Sequence, residues 1–176
     1  LARLTNQLLS HAMVIHRAES VQLEPVDLNE IARRAFRVAV PITVDPDIVV
    51  SFEEADAELT VLGDPVSLRE AIVNVIDNAL RHGTLSRLEV RVRDAGPFAH
   101  VEVEDDGPGI PSEEWPRVTQ RFQTSKAGEG SAGLGFAIAS EVAAAHGGAL
   151  QFRAKGADAH GFTVILALPR IHREGK

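Results

Sequence analysis

Arg69-Glu70-Ala71-Ile72-Val73-Asn74-Val75-Ile76-Asp77-Asn78-Ala79-Leu80-Arg81-His82-Gly83 sorts its residues onto two faces of one helix. Leu68, Ile72, Ile76, Ala79 and Leu80 form an apolar stripe, while Glu70, Asn74, Asp77, Asn78 and Arg81 share the other side. The first face is for a core. On the second, Asn74 and Asn78 stand four residues apart, so their carboxamides lie one turn from each other and can converge on a single bound group. Amide oxygens are hard ligands that suit Mg²⁺, and Arg81 supplies a cation for a phosphate. A plain solvated helix face has the same composition, so the helix alone does not decide between the two.

The chain around this helix has 176 residues, 44% of them apolar and 24% charged. That is enough for one moderate core with an appended element. No run is apolar enough to span a bilayer, and nothing reads as a signal peptide. The absence of cysteine fits a reducing compartment and removes thiolate metal sites. A net charge of −7 argues against nonspecific binding to nucleic acid or to an anionic membrane surface, so any phosphate site must be local.

N-terminal to the central helix, Leu1, Leu4, Leu8, Ile15 and Gln22 fall near heptad spacing, and Leu9 and Ala12 widen that stripe. This predicts a helix in need of a partner, already in phase at Leu1. Glu24-Pro25-Val26 breaks the period, and Asp27-Leu28-Asn29-Glu30 has the form of a cap before an acidic first turn. The second helix is expected to reach Val40, where Pro41 stops it. Ile48 to Phe52 and Leu59 to Leu62 read as short strands. Asp64 then caps the central helix, Pro65 sits in its first turn, and Gly83 ends it.

Leu88 to Arg93 and Ala99 to Glu104 alternate strictly about Asp94-Ala95-Gly96-Pro97, which predicts an antiparallel hairpin. Asp105-Asp106-Gly107-Pro108-Gly109-Ile110 follows at the strand end, where glycine lets backbone approach a ligand. A short helix is expected between Pro111 and Phe122, and a polar, Gly-rich loop from Gln123 to Ala132. Gly133-Leu134-Gly135 opens a last helix, with Leu134, Ile138, Val142 and Ala145 in phase. Two strands, about Ala149 to Arg153 and Gly161 to Leu168, close the sheet.

A glycine-rich helix start exposes backbone N–H groups and the positive end of a dipole, which suits phosphate oxygens. Asp106, at a glycine turn, is read as the acceptor for an exocyclic amine such as that of adenine. The order and spacing of these elements resemble a known family. Asn74 to Ala79, Asp106 to Ile110, Arg121-Phe122 and Gly133 to Ile138 look like the four ATP-site motifs of bacterial sensor histidine kinases. Leu62-Gly63-Asp64-Pro65 and Ala145-His146-Gly147-Gly148 match as supporting stretches, so the resemblance covers about Leu4 to Pro169.

The resemblance implies an α+β fold, a two-layer α/β sandwich with a mixed sheet packed on three helices, ATP held under a flexible lid, and an N-terminal dimerisation helix. It implies that Asn74 and Asn78 hold Mg²⁺ and the phosphates, with Arg81 near the terminal phosphates. Asp106 would recognise the adenine amino group, Gly107 and Gly109 would admit the base beside Ile110, and His82 would stack on it. Phe122 would pack at the root of the lid. Thr124, Ser125, Lys126 and Ser131 would reach phosphate from it, and Gly133, Leu134 and Gly135 would form its hinge.

ATP-hydrolysing relatives, such as DNA gyrase and the heat-shock chaperones, carry a Glu where Asn74 stands. An amide is no general base, which favours transfer over hydrolysis. The transferred group would go to a histidine, but His11 and His16 lack the acidic residue and proline that follow the acceptor in this family. His146, His160 and His172 show no metal-ligand spacing. Residues 1–24 instead resemble the second helix of that family's dimerisation and phosphoacceptor bundle, and the resemblance implies a catalytic domain over 25–170 and a tail over 171–176. The expected partners are ATP, a response regulator and a second copy of the chain, with no nucleic acid. The expected setting is the cytoplasmic end of an inner-membrane receptor. Rival readings are an ATPase of the same superfamily and a dimerising scaffold without nucleotide. A dinucleotide-binding oxidoreductase fails, because Gly133-Leu134-Gly135 follows no strand and lacks a third glycine.

Overall fold

The computed structural model describes residues 5, 9, 12, 17, 21–40, 45, 47–120, 134–155 and 161–171. Thr5, Leu9, Ala12 and Arg17 are helical. The chain continues through β1 (Glu24–Asp27), α1 (Leu28–Ala39), β2 (Val49–Glu53), β3 (Thr60–Gly63) and α2 (Pro65–Asn78). A π-helical turn (Ala79–Gly83) leads into β4 (Arg87–Ala95) and β5 (Phe98–Asp105). A 3-10 turn (Ser112–Glu114) and α3 (Trp115–Val118) precede α4 (Gly135–Ala145), β6 (Ala149–Ala154) and β7 (Phe162–Pro169).

Five strands form one mixed sheet in the order β2-β4-β5-β7-β6, with β2 and β4 parallel and the other pairs antiparallel. The predicted hairpin is present as β4 and β5. β7 is the strand inserted between β5 and β6, and residues 162–168 are buried on both faces, as its nearly unbroken apolar run requires. The helices α1, α2 and α4 cover one side and β4, β5 and β7 answer with Val90, Val92, Val101, Val103, Val164 and Leu166. Each such residue, fully buried, stabilises the fold by about 1.5–3 kcal/mol. The opposite side is roofed by ion pairs, among them Arg93 with Glu53, Arg153 with Glu102, and Arg91 and Lys155 with Glu104.

Two local expectations are corrected. The Glu24–Val26 break is a strand, β1, which pairs antiparallel with β3 in a separate two-stranded sheet. β2 lies in the five-stranded sheet instead, at its edge beside β4. The central helix is α-helical only to Asn78, and its last turn widens into the π-turn, where Thr84 N–H and its hydroxyl both donate to Ala79 O.

Caps follow the sequence closely. Asp27 accepts from Asn29 N at 3.0 Å to start α1, and Asp64 accepts from Val66 N and Ser67 N at 3.4 and 3.2 Å to start α2. Asn29 is buried and ties α1 to the loop after β2, donating to Ala55 O and Ala57 O and accepting from Ala55 N. Among the described residues no helix is long and apolar enough to cross a membrane.

Candidate functional site

Asn74 is half-buried on α2, and its Nδ2 donates to Glu70 O at 2.8 Å. That bond fixes the carboxamide and leaves Oδ1 as its acceptor. Asn78, one turn on, lies against the start of α4. A Cβ on Gly135 would sit 2.6 Å from Asn78 Nδ2 and 3.0 Å from its Cγ and Oδ1, so glycine at residue 135 is what lets the two helices meet. Asp residues cap α1 and α2, but Leu134, the N-cap of α4, supplies no side-chain acceptor. Among the described residues no side chain caps the N-terminal amides of α4, which lie beside Asn78.

The strand end was read differently in sequence. Asp106 does not stand free for a ligand amine: its Oδ1 accepts from Leu85 N at 2.9 Å and Ser86 N at 3.1 Å, and its Oδ2 from Ser86 N at 3.0 Å and from the Ser86 hydroxyl. Desolvation pushes its carboxyl up, but these bonds hold it well below the usual carboxylate range. Asp105 is the buried one, at 4% exposure. Its Oδ1 accepts from Gly107 N at 2.9 Å, and its carboxylate fills the space where a side chain at Gly83 would go. A Cβ on Gly107 would in turn strike Gly83 O, so the end of the π-turn and the turn after β5 touch here.

Burial pushes the Asp105 carboxyl up to about 6 against the opposing Gly107 amide, with the charges of Asp106 and Glu104 adding to the rise. The signal was available. Ala99, Val101 and Val103 face the core, and Asp105 continues their parity, whereas Asp106 lies beyond the strand. Glu104, on the other parity, goes to Arg91 and Lys155 on the outer face.

Arg81 is exposed, and its Nε donates to both Asp77 carboxylate oxygens, at 2.7 and 2.8 Å. His82 is exposed at the π-turn. Gly107 is buried, and Gly109 adopts φ +71°, a left-handed conformation that glycine takes without strain, with Phe162 against it. Ile110 packs on the core, and its carbonyl accepts from Trp115 Nε1 at 2.9 Å. Beneath this turn Trp115, Phe136, Phe152 and Phe162 form a ring cluster that the sequence reading missed, with centroids 5.4 to 6.4 Å apart. Leu134 is fully buried, and its side chain anchors the helix start. Phe122, Thr124, Ser125, Lys126, Ser131 and Gly133 lie outside the described residues.

At the far end of the same two helices, His146 closes α4. Its Nε2 accepts from Asp64 N at 3.0 Å and its Nδ1 lies 2.7 Å from Val142 O, which requires the neutral tautomer with its proton on Nδ1. Asp64 also receives Arg17 through Nε and Nη2, each at 2.8 Å. The Arg17 bond holds the Asp64 carboxyl far below its ordinary range; desolvation opposes it and the Ser67 hydroxyl and amide add to it.

The family described as histidine kinase-, DNA gyrase B- and HSP90-like ATPase matches residues 63–172. Sensor histidine kinase GtrS of Pseudomonas aeruginosa is 37% identical over 156 residues, which is 86% of this chain and 30% of that protein. Sensor protein kinase PmrB of the same species is 30% identical over 174 residues, 97% of this chain and 36% of that one. The chain thus spans about a third of the curated relatives it matches. Among solved structures, mycobacterial sensor histidine kinase MprB superposes with a TM-score of 0.68 at 32% identity, covering 84% of this chain and 98% of that one. The ATP-binding domain of PrrB from Mycobacterium tuberculosis gives 0.67 at 26% identity, covering 86% and 99%.

Proposed function

The chain belongs to the family of histidine kinase-, DNA gyrase B- and HSP90-like ATPases, as an ATP-binding domain of the sensor histidine kinase type, and from this we propose that it positions ATP for transfer of the γ-phosphoryl group to a histidine. The observation that carries the reading is the junction at the C-terminal end of α2: Asn78 meets the start of α4, while Gly83, at the end of the π-turn, meets Asp105 and Gly107. The first contact offers amide ligands and helix amides to phosphate; the second offers a buried carboxylate to an amine.

In this reading Asp105 accepts from the adenine amino group, and glycine at residues 83, 107 and 109 lets the surrounding chain approach its carboxylate closely. Asn74 and Asn78 would hold Mg²⁺ through their amide oxygens. Among the described residues no group of three or more acidic or histidine side chains could hold a metal, so phosphate oxygens and water would complete its shell. When bound, the ion neutralises charge on the phosphoryl oxygens. The α4 amides orient the phosphates, and Arg81 can join them only by leaving Asp77. Thr124, Ser125, Lys126 and Ser131 are proposed as phosphate contacts from a lid rooted at Phe122 and hinged at Gly133.

Asn74 supports transfer over hydrolysis. Its amide can orient but cannot take a proton from water. We further propose residues 1–24 as part of a dimerisation bundle, 25–170 as the catalytic domain and 171–176 as a tail, with the acceptor histidine elsewhere, a response regulator downstream and a membrane receptor as the setting. The test is phosphate release from ATP and Mg²⁺ beside binding of the same nucleotide. Binding with release no faster than the enzyme-free rate supports the reading; steady release lost in Asn74→Ala would replace it with an ATPase.

A further inference from the structure

We propose that Asp106 is a positioning residue: it straps the Leu85-Ser86 segment to the tip of β5 and so holds Gly83 and Asp105 in register for the base. The inference rests on the nucleotide reading above and gives Asp106 a task other than touching the base.

The geometry is specific. The chain leaves α2 through the π-turn, passes Gly83 and Thr84, and must reach the start of β4 at Arg87. Leu85 is exposed at 67% and buries nothing that could hold this passage. Asp106 does so with polar bonds, taking the Leu85 amide on Oδ1, the Ser86 amide on both oxygens and the Ser86 hydroxyl on Oδ2. One residue before it, Asp105 takes Gly107 N and lies under Gly83, whose carbonyl rests where Gly107 lacks a side chain. Releasing the strap therefore loosens the wall that encloses the Asp105 carboxylate, leaving the apolar core beneath it intact.

The two neighbouring carboxylates also repel as like charges, and Asp106 contributes to the rise of Asp105. Glu104 also adds to the rise of Asp105, and it is paired with Arg91 and Lys155. The π-turn brings the backbone at Gly83 to this contact, and the Arg81 guanidinium is turned to Asp77.

Asn at residue 106 keeps an Oδ1 for the Leu85 and Ser86 amides and turns an amide N–H₂ toward the Ser86 hydroxyl, which can accept. Ala keeps none of this. The experiment compares ATP with inosine triphosphate, which carries an oxygen where adenine carries its amine, on the parent chain, Asp106→Ala and Asp106→Asn. Circular dichroism confirms folding, and amide exchange follows Leu85 and Ser86 without nucleotide.

The expected result is preference for ATP in the parent, retained in Asp106→Asn and reduced about tenfold in Asp106→Ala, with Leu85 and Ser86 exchanging at least about tenfold faster in the Ala variant. A folded Asp106→Ala chain with the parent's preference and slow exchange overturns the strap. Loss of preference in both variants alike overturns it too, since charge and not geometry would then be at work. A parent that binds neither nucleotide, or does not discriminate, removes the base-recognition reading and the strap's role in it together.

Discussion

The carboxylate of Asp105 occupies the space that a side chain at Gly83 would fill, with Oδ1 2.9 Å from where a Cβ would stand. The end of the central helix and the end of β5 therefore fit only with glycine at residue 83. Gly83→Ala must push Asp105 aside or unwind the π-turn, and overpacking of this kind costs about 1–3 kcal/mol. In a domain of this size that corresponds to a fall in Tm of about 2–4 °C per kcal/mol. Nucleotide affinity is expected to fall at least tenfold in the folded variant, measured by calorimetry; unchanged affinity would remove Asp105 from the site.

Asp105 sets stability against function. Its carboxyl is raised to about 6, so the folded chain holds this proton more tightly than the unfolded chain does. Below about pH 4 both states are protonated and nothing is lost; above about pH 6 the ionised, buried carboxylate destabilises the fold by an order of 3 kcal/mol. Asp105→Asn should therefore raise the Tm of the nucleotide-free chain at pH 7–8, the gain shrinking as pH falls from about 6 to 4, while weakening ATP binding. A Tm that drops at pH 8 would contradict this account of the carboxylate.

Arg17 reaches across to the cap of α2, placing the N-terminal helical residues against the end of the helix pair that lies farthest from Asn78. Asp64→Ala removes a cap and the Arg17 pair together and should destabilise by about 1–2 kcal/mol through the cap alone. Asp64→Asn, which keeps an acceptor for Ser67 N, should lose less, and Arg17→Ala less again. Because the Asp64 carboxyl is held low, this stabilisation is complete above about pH 4 and fades as pH falls further. Chemical denaturation at pH 7 and pH 3 checks the order; equal losses in all three variants would contradict it.

His146 accepts the Asp64 amide at one end of the α2 and α4 pair, and Asn78 meets Gly135 at the other. His146→Ala leaves a buried N–H unpaired, at a cost of about 1–3 kcal/mol. Gly135→Ala instead drives a methyl into Asn78 and should abolish ATP binding with a smaller change in unfolding midpoint. Parallel thermal melts and nucleotide titrations separate the two; weakened binding in His146→Ala beyond its stability loss would show that the two ends are not independent.

Wherever one face of an element is buried, the sequence pattern was sufficient to place it. The stripe Leu68-Ile72-Ile76, the cap at Asp64 and the alternation of β4 and β5 were each legible because burial and capping are local demands on residue type. β1 escaped because four residues that include Pro25 carry no periodicity, and only pairing with β3 makes them a strand. The widening at Ala79 depends on how Thr84 bonds back, a contact no spacing reveals. Asp105 and Asp106 were separable by strand parity, yet the glycines that follow drew attention to the residue beside them. The contacts of Arg17 and His146 with Asp64 join residues 47 and 82 positions apart, beyond the reach of any local pattern.

The most direct test of the central claim is calorimetric titration of the chain with a nonhydrolysable ATP analogue and Mg²⁺, beside Asn78→Ala and Asp105→Ala. The account predicts one site on the parent and loss of binding in both folded variants, because the two residues serve opposite ends of one nucleotide. A folded parent that binds nothing, or an Asn78→Ala chain that binds as the parent does, would contradict it.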